Sequence, residues 1–211
     1  MEDDISLWLN ANFRGAHEIA DEDNIFAAFG KFIAAYALAE AGVHIATRFF
    51  SKMSETNARF VFSGSRGKDI VECLRQFTVE DSSGADINKV LKQFGYIREA
   101  RNQFTHRVIE YDREHGLKAT NRLTGPQAIV EPRLFGINEL EDMTHDCRII
   151  FGRLLMHCDE LAEIVRINEI ASMELFAPWR YTPPPPEKKP PPNPDVRVAR
   201  KYRPRAFRGL L

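Results

Sequence analysis

The sequence predicts an all-α protein, a helical bundle followed by an extended proline-rich tail. Three observations lead there. Long segments place apolar residues at three- and four-residue spacing, the mark of amphipathic helices. Strand-like runs are confined to one short region between Leu117 and Gly136. Ten of the twelve prolines lie from Pro178 onward, where helix and central strand are both excluded.

Residues 1–20 are weakly patterned, with Ile5, Leu7, Trp8 and Leu9 suited to a short amphipathic turn. Asp21 to Asn24 offer caps for a first long helix over 22–50. Its apolar line reads Phe26, Phe29, Ile33, Tyr36, Val43, Thr47 and Phe50, interrupted by Glu40. Ala34, Ala35, Ala37, Ala39, Ala41 and Gly42 allow close helix approach. Residues 51–66 carry turn signals and read as a connection. A short helix over 68–77 turns Ile70, Val71, Leu74 and Phe77 inward. The next long helix, over 86–114, carries Phe94, Ile97, Phe104, Val108 and Tyr111 on one stripe and is stopped by Gly116. Thr124-Gly125-Pro126 would turn a small β-hairpin between 117 and 133, with Pro132 confining the second strand to an edge. Asn138 with Glu141 makes a capping-box-like start to a last helix over 138–172. Its inner face is Leu140, Met143, Cys147, Ile150, Leu154, Leu161 and Val165.

Two units follow, a helical domain over 1–177 and a basic proline-rich tail over 178–211, expected to be disordered. The 211 residues carry a net charge of −1, but the tail holds a surplus of seven positive charges, which leaves the body at −8. Such a body does not suit strong non-specific nucleic-acid binding, although Arg98, Arg101, Arg107 and Arg113 cluster along one helix. The start Met1-Glu2-Asp3-Asp4 is acidic, so no secretory leader is expected. The most apolar stretch, Ile25 to Phe50, is broken by Lys31, Glu40, His44 and Arg48, so no membrane span is expected. Cys73, Cys147 and Cys158 are an odd, sparse set that fits reduced thiols in a cytoplasmic protein. No CxxC or His-x-His spacing points to a metal, and no cofactor is expected.

The chemistry-bearing stretch is Arg98-Glu99-Ala100-Arg101-Asn102-Gln103-Phe104-Thr105-His106-Arg107. Arg101 falls on the apolar stripe, where an always-charged group needs a partner. Glu40 breaks the stripe of the first helix in the same way, so the two are expected to meet, or Glu40 to reach the motif through Asn102. Asn102 and His106 lie one turn apart, whereas Arg101 and His106 diverge by about 140°. The plainer alternative is a solvated His106 and an Arg101 that reaches the surface. His17, His44, His115, His145 and His157 share no such motif and read as structural or solvated.

Arginine, a polar residue, a three-residue spacer and histidine on the third helix of a helical chain resembles the HEPN superfamily, over roughly residues 22–172. Arg101, Asn102 and His106 occupy the motif positions. The resemblance implies a compact helical bundle that dimerises with paired motifs at the interface. It also implies a metal-independent endoribonuclease of a toxin–antitoxin, phage-defence or RNA-processing system, or a relative that has lost catalysis and binds. On that resemblance Arg101, Asn102 and His106 are catalytic, with Glu40 and Arg98 supporting. The expected partners are a second copy of the chain, an RNA substrate, and an antitoxin or a proline-binding protein that takes the tail. The tail also reads as a nucleic-acid-touching arm, or as a segment that folds back on the acidic body. The alternative function is a non-catalytic dimeric scaffold or RNA-binding module whose tail recruits a partner.

Overall fold

The computed structural model describes residues 16–62, 64–65, 67–114, 116–120, 133–158 and 175–185, and of residues 16–21 and 106 the backbone alone. The described chain is mostly helical with one small sheet. In order it runs α1 (Ala16–Ser51), α2 (Glu55–Phe62), α3 (Gly67–Phe77), α4 (Gly84–His106), β1 (Val108–Asp112), β2 (Gly116–Thr120), β3 (Arg133–Phe135) and α5 (Ile137–Met156).

Helix α1 has 36 residues and spans about 54 Å. It packs along α5 and also meets α3. The length and apolarity of Glu22–Ser51 would suffice to cross a membrane, but here one stripe forms the core. That stripe is Ile25, Ala28, Phe32, Ala35, Tyr36, Ala39, Val43 and Ala46, all buried. Of the line expected from sequence, Tyr36, Val43 and Thr47 are buried as expected, but Phe26 is exposed, and Phe29 and Ile33 are half-buried. Close packing decides the difference. A Cβ at Gly42 would stand 3.0 Å from the Phe151 ring, so α5 comes down onto the alanine side of α1. Glu40 is consequently at the edge of the core rather than in it.

Helix α5 is buried on several sides. Leu140, Met143, Cys147, Ile150 and Leu154 are buried as expected, and Thr144, Asp146 and Arg153 are buried with them. The continuation of this helix to 172, with Leu161 and Val165, lies outside the described residues. Helix α2 occupies the stretch expected to be a connection, while α3 matches its expected span to within a residue, with Ile70, Val71 and Leu74 buried as expected and Phe77 exposed instead.

The motif helix is shorter than its apolar spacing suggests. It ends at His106, Arg107 is extended (φ −127°, ψ 157°), and Val108 begins a strand. Val108, Ile109 and Tyr111 favour strand, and the chain changes period there without a loop. Strand β1 pairs antiparallel with β2 from Val108↔Thr120 to Asp112↔Gly116, and β2 pairs with β3 from Leu117↔Phe135 to Ala119↔Arg133. The all-α expectation is therefore corrected to a helical bundle with a three-stranded sheet. The sheet holds two antiparallel pairings: β1 and β2 join near Arg113 and Glu114, which was not expected, and β2 pairs with β3 across residues 121–132, the segment of the expected turn Thr124–Pro126, which lies outside the described residues. Gly116 takes φ +93°, a left-handed conformation that suits glycine. Leu117, Ala119 and Phe135 face inward, and Phe104 joins sheet to bundle: its ring is 4.1 Å from that of Phe135 and 4.9 Å from that of Phe29.

Residues on both sides of Pro178 pack against α5. Leu175 packs on Gly152. Phe176 and Trp179 flank the Arg153 guanidinium at 5.6 and 5.2 Å. Arg180 and Tyr181 reach Asp146 one to two turns earlier on α5. Residues 175–185 thus form a strap running antiparallel along α5, and Tyr181 belongs to the core at 4% exposure. The rest of the expected tail lies outside the described residues.

Candidate functional site

The last two turns of α4 present the motif. Measured from Arg101 around the helix, Asn102 is displaced by about 100°, His106 by about 140°, Gln103 by about 200° and Arg107 by about 240°. The buried side of the same helix is Val90, Phe94, Ile97, Ala100 and Phe104. By the same measure Val90 and Phe94 lie about 20° to either side of Arg101, so Arg101 projects from the buried side of α4, whereas Asn102 and Gln103 lie on the side turned away from the core.

On the buried side Arg101 is half-buried and its guanidinium carbon lies 5.1 Å from the centre of the Tyr36 ring. Tyr36 is 3% exposed and stacks on Phe94 at 5.6 Å, 15° from parallel. Burial drives the Tyr36 hydroxyl well above its ordinary pKa; the Glu40 carboxylate adds to the rise, and Arg101 and Arg98 oppose it. Phenol, carboxylate and two guanidiniums thus share one field. Glu40 and Arg101 do not pair, however: among the described residues no ion pair within 4.0 Å joins Glu40 to Arg101 or to Arg98. The expected Glu40–Arg101 contact is corrected to a Tyr36–Arg101 contact. Glu40 instead lies beside the first residue of α3, where a Cβ on Gly67 would be 3.3 Å from its Oε1 and 4.0 Å from Arg98 Cδ. The positive end of a helix suits a carboxylate. Arg98 Nη1 is buried and among the described residues has no hydrogen-bond partner.

Asn102 is half-buried, with its carbonyl accepting the Thr105 hydroxyl at 3.1 Å. His106 is the last residue of α4. Farther around the helix, a cavity of about 710 Å³ opens between α4, β3 and the strap. Tyr96, Glu99, Gln103 and Arg107 form its α4 wall, and Tyr181 to Pro185 close it opposite. Gln103 Oε1 is buried there without a hydrogen-bond donor among the described residues.

Two polar clusters escaped the sequence reading. The Asp146 carboxylate, fully buried, accepts Arg180 N–H at 3.1 Å, Tyr181 N–H at 3.0 Å and the Gln93 amide at 2.8 Å. Gln93 also donates to the Tyr181 carbonyl at 2.9 Å, and Arg133 donates to the Tyr181 hydroxyl at 3.1 Å. Burial pushes the Asp146 carboxyl up, against the pull of its donors. The second cluster joins Asp86 to Arg153 and to His157 Nε2, the latter at 3.0 Å. Burial alone would raise the Asp86 carboxyl, but His157 and Arg153 outweigh it and hold it below the usual range. The available signal was Gln93 and Asp146 lying beside core residues of their helices; their partners on the strap carry no periodicity that announces them.

Among the described residues no three His, Cys, Asp or Glu side chains lie close enough to hold a metal ion. The three cysteines are free thiols, with Cys147 and Cys158 buried. Compared with family models, curated proteins and solved structures, the chain matches none.

Proposed function

We propose that the chain is a metal-independent endoribonuclease that uses Arg101, Asn102 and His106. The observation that supports this reading is the Arg101 guanidinium, held by an aromatic ring rather than by a carboxylate, on the same closing turns of α4 as Asn102 and His106. A ring contact leaves the net charge of Arg101 unneutralised and available to a phosphate.

In this mechanism the RNA 2′-oxygen attacks the adjacent phosphorus and the bond to the 5′-oxygen breaks. The products are a 2′,3′-cyclic phosphate and a 5′-hydroxyl. The nucleophile is tethered to its target, which removes most of the entropic cost of bringing them together. Arg101 offers its planar set of donors to the charge that builds on the phosphoryl oxygens. His106 accepts the 2′-hydroxyl proton, a task suited to an imidazole near neutral pH. Asn102, one turn before His106, orients the imidazole or a phosphate oxygen. The 5′-oxygen needs a proton as it leaves, and His106 of a second copy would supply it in a homodimer. The proposed setting is a toxin–antitoxin or phage-defence system in the cytoplasm.

A second reading is favoured by the same Tyr36–Arg101 contact. A guanidinium spent on packing suits a dimeric scaffold or RNA-binding module whose proline-rich tail recruits a partner. Incubation of purified protein with mixed RNA in EDTA, with end-group analysis, separates the two. Cyclic phosphate ends that vanish in an Arg101→Ala/His106→Ala variant are expected from the nuclease. Intact RNA, or cleavage unchanged in that variant, overturns it.

A further inference from the structure

We infer that the cavity between α4, β3 and the strap receives a nucleobase of single-stranded RNA, and that Gln103 selects bases carrying an exocyclic amine. The inference rests on the ribonuclease reading only for the position of the cleaved phosphate; base binding stands on the cavity itself.

The cavity's volume falls within the range of about 300–1,000 Å³ usual for small-ligand sites. Its floor is already satisfied, because Arg133 is paired with Glu139 and donates to the Tyr181 hydroxyl. Three groups remain for a ligand. Gln103 Oε1 is a buried acceptor lacking a donor, and such an acceptor is costly unless something donates to it. Glu99 is exposed at the rim and supplies a second acceptor. Arg107 is half-buried and, like Glu99, has no ion-pair partner within 4.0 Å among the described residues. Tyr96, at 36% exposure, offers an aromatic surface, and Leu134 with the strap prolines offers an apolar one.

One ligand chemistry uses all of these. A flat heterocycle stacks on Tyr96, its amine hydrogens go to Gln103 and Glu99, and its backbone phosphate meets Arg107. Adenine, cytosine and guanine bring the amine; uracil does not. Around α4 the order Arg101, Asn102, His106, Gln103, Arg107 then becomes a path: the scissile phosphate lies at the first three and the neighbouring base at the last two. The strap forms the wall of the base site, so the Asp146 clasp that holds the strap also sets the width of that site.

The test uses full-length His106→Ala protein and fluorescently labelled oligoadenylate, oligocytidylate and oligouridylate in anisotropy titrations at fixed salt. Adenylate and cytidylate are expected to bind about tenfold more tightly than uridylate. Gln103→Leu should erase that preference by bringing adenylate and cytidylate affinity down to that of uridylate, and Tyr96→Ala should weaken all three by about tenfold. Equal affinity for the three, a preference that survives Gln103→Leu, or indifference to Tyr96→Ala overturns the inference. Circular dichroism of both variants verifies the fold, since Tyr96 is exposed and Gln103→Leu removes an unpaired acceptor. Base-selective binding without cleavage by the wild-type chain would overturn the ribonuclease reading and uphold this one. Cleavage without base selectivity would do the opposite.

Discussion

The Arg101 guanidinium rests over the ring of Tyr36, 5.1 Å from its centre, and not against Glu40. Stability and activity can therefore be separated at Arg101. A cation–ring contact of this kind contributes on the order of 1 kcal/mol. Arg101→Gln should lower the urea-unfolding free energy by about that amount and RNA cleavage by about 100-fold or more. Arg101→Lys keeps the charge but not the fork, so its unfolding curve should stay near wild type while cleavage falls.

The Glu40→Gln and Arg101→Gln effects on unfolding should add to within about 0.5 kcal/mol. A larger coupling in the double-mutant cycle would mean that the two groups act directly on each other despite lacking an ion pair.

Asp86 should give the fold an acid-sensitive component. Its folded pKa lies below the unfolded value, so its stabilising share is fully present above the ordinary carboxylate range and is lost as pH falls through the folded pKa. Wild-type stability should drop between neutral pH and about pH 3 by more than that of Asp86→Asn. At neutral pH, Asp86→Asn should cost about 2 kcal/mol, since hydrogen bonds to a charged group are lost. Parallel pH profiles for the two proteins would refute this.

The strap should contribute through both ends of the Tyr181 side chain. Tyr181→Phe removes only the bond from Arg133 and should cost about 1 kcal/mol. Tyr181→Ala also empties a core site and should cost about 3–5 kcal/mol. Asp146→Ala strands two backbone N–H groups and removes one of the two acceptors of the Gln93 amide, and its loss should be strongly non-additive with Tyr181→Ala in chemical denaturation.

Gly116→Ala should be destabilising by more than about 1 kcal/mol. Residue 116 has φ +93°, and an added Cβ would stand 2.5 Å from the Phe135 carbonyl oxygen and 2.9 Å from Ile25 Cδ1. A melting temperature unchanged from wild type would contradict the hairpin geometry.

Helices were legible in the sequence where a 3.6-residue period was unambiguous. Helices α3 and α5 begin within a residue of their expected starts, and Leu140 to Leu154 face inward as read. The end of α4 was not legible, because Val108 and Tyr111 continue the spacing of Phe104 and serve a helix or a strand equally well. Tyr36, Val43 and Thr47 of α1 face inward as read, but the start of that line was misread because large Phe26 and Phe29 outweighed the small Ala28 and Ala35 that close packing actually buries. Arg101 and Asn102, by contrast, lie where their spacing placed them. The Asp146 clasp depends on backbone N–H groups of Arg180 and Tyr181, and backbone donors leave no imprint on side-chain pattern.

The direct passage from His106 through extended Arg107 into β1 also limits how the length of such a chain can vary. One residue inserted before His106 would turn it by about 100° around α4. One inserted after Arg107 would either shift β1 against β2 and exchange its two faces, or have to be absorbed as a bulge. Spacers that join helices through loops can lengthen freely; this one cannot. Among proteins sharing this arrangement, the interval from Arg101 to Val108 should therefore keep its length while the side chains within it change.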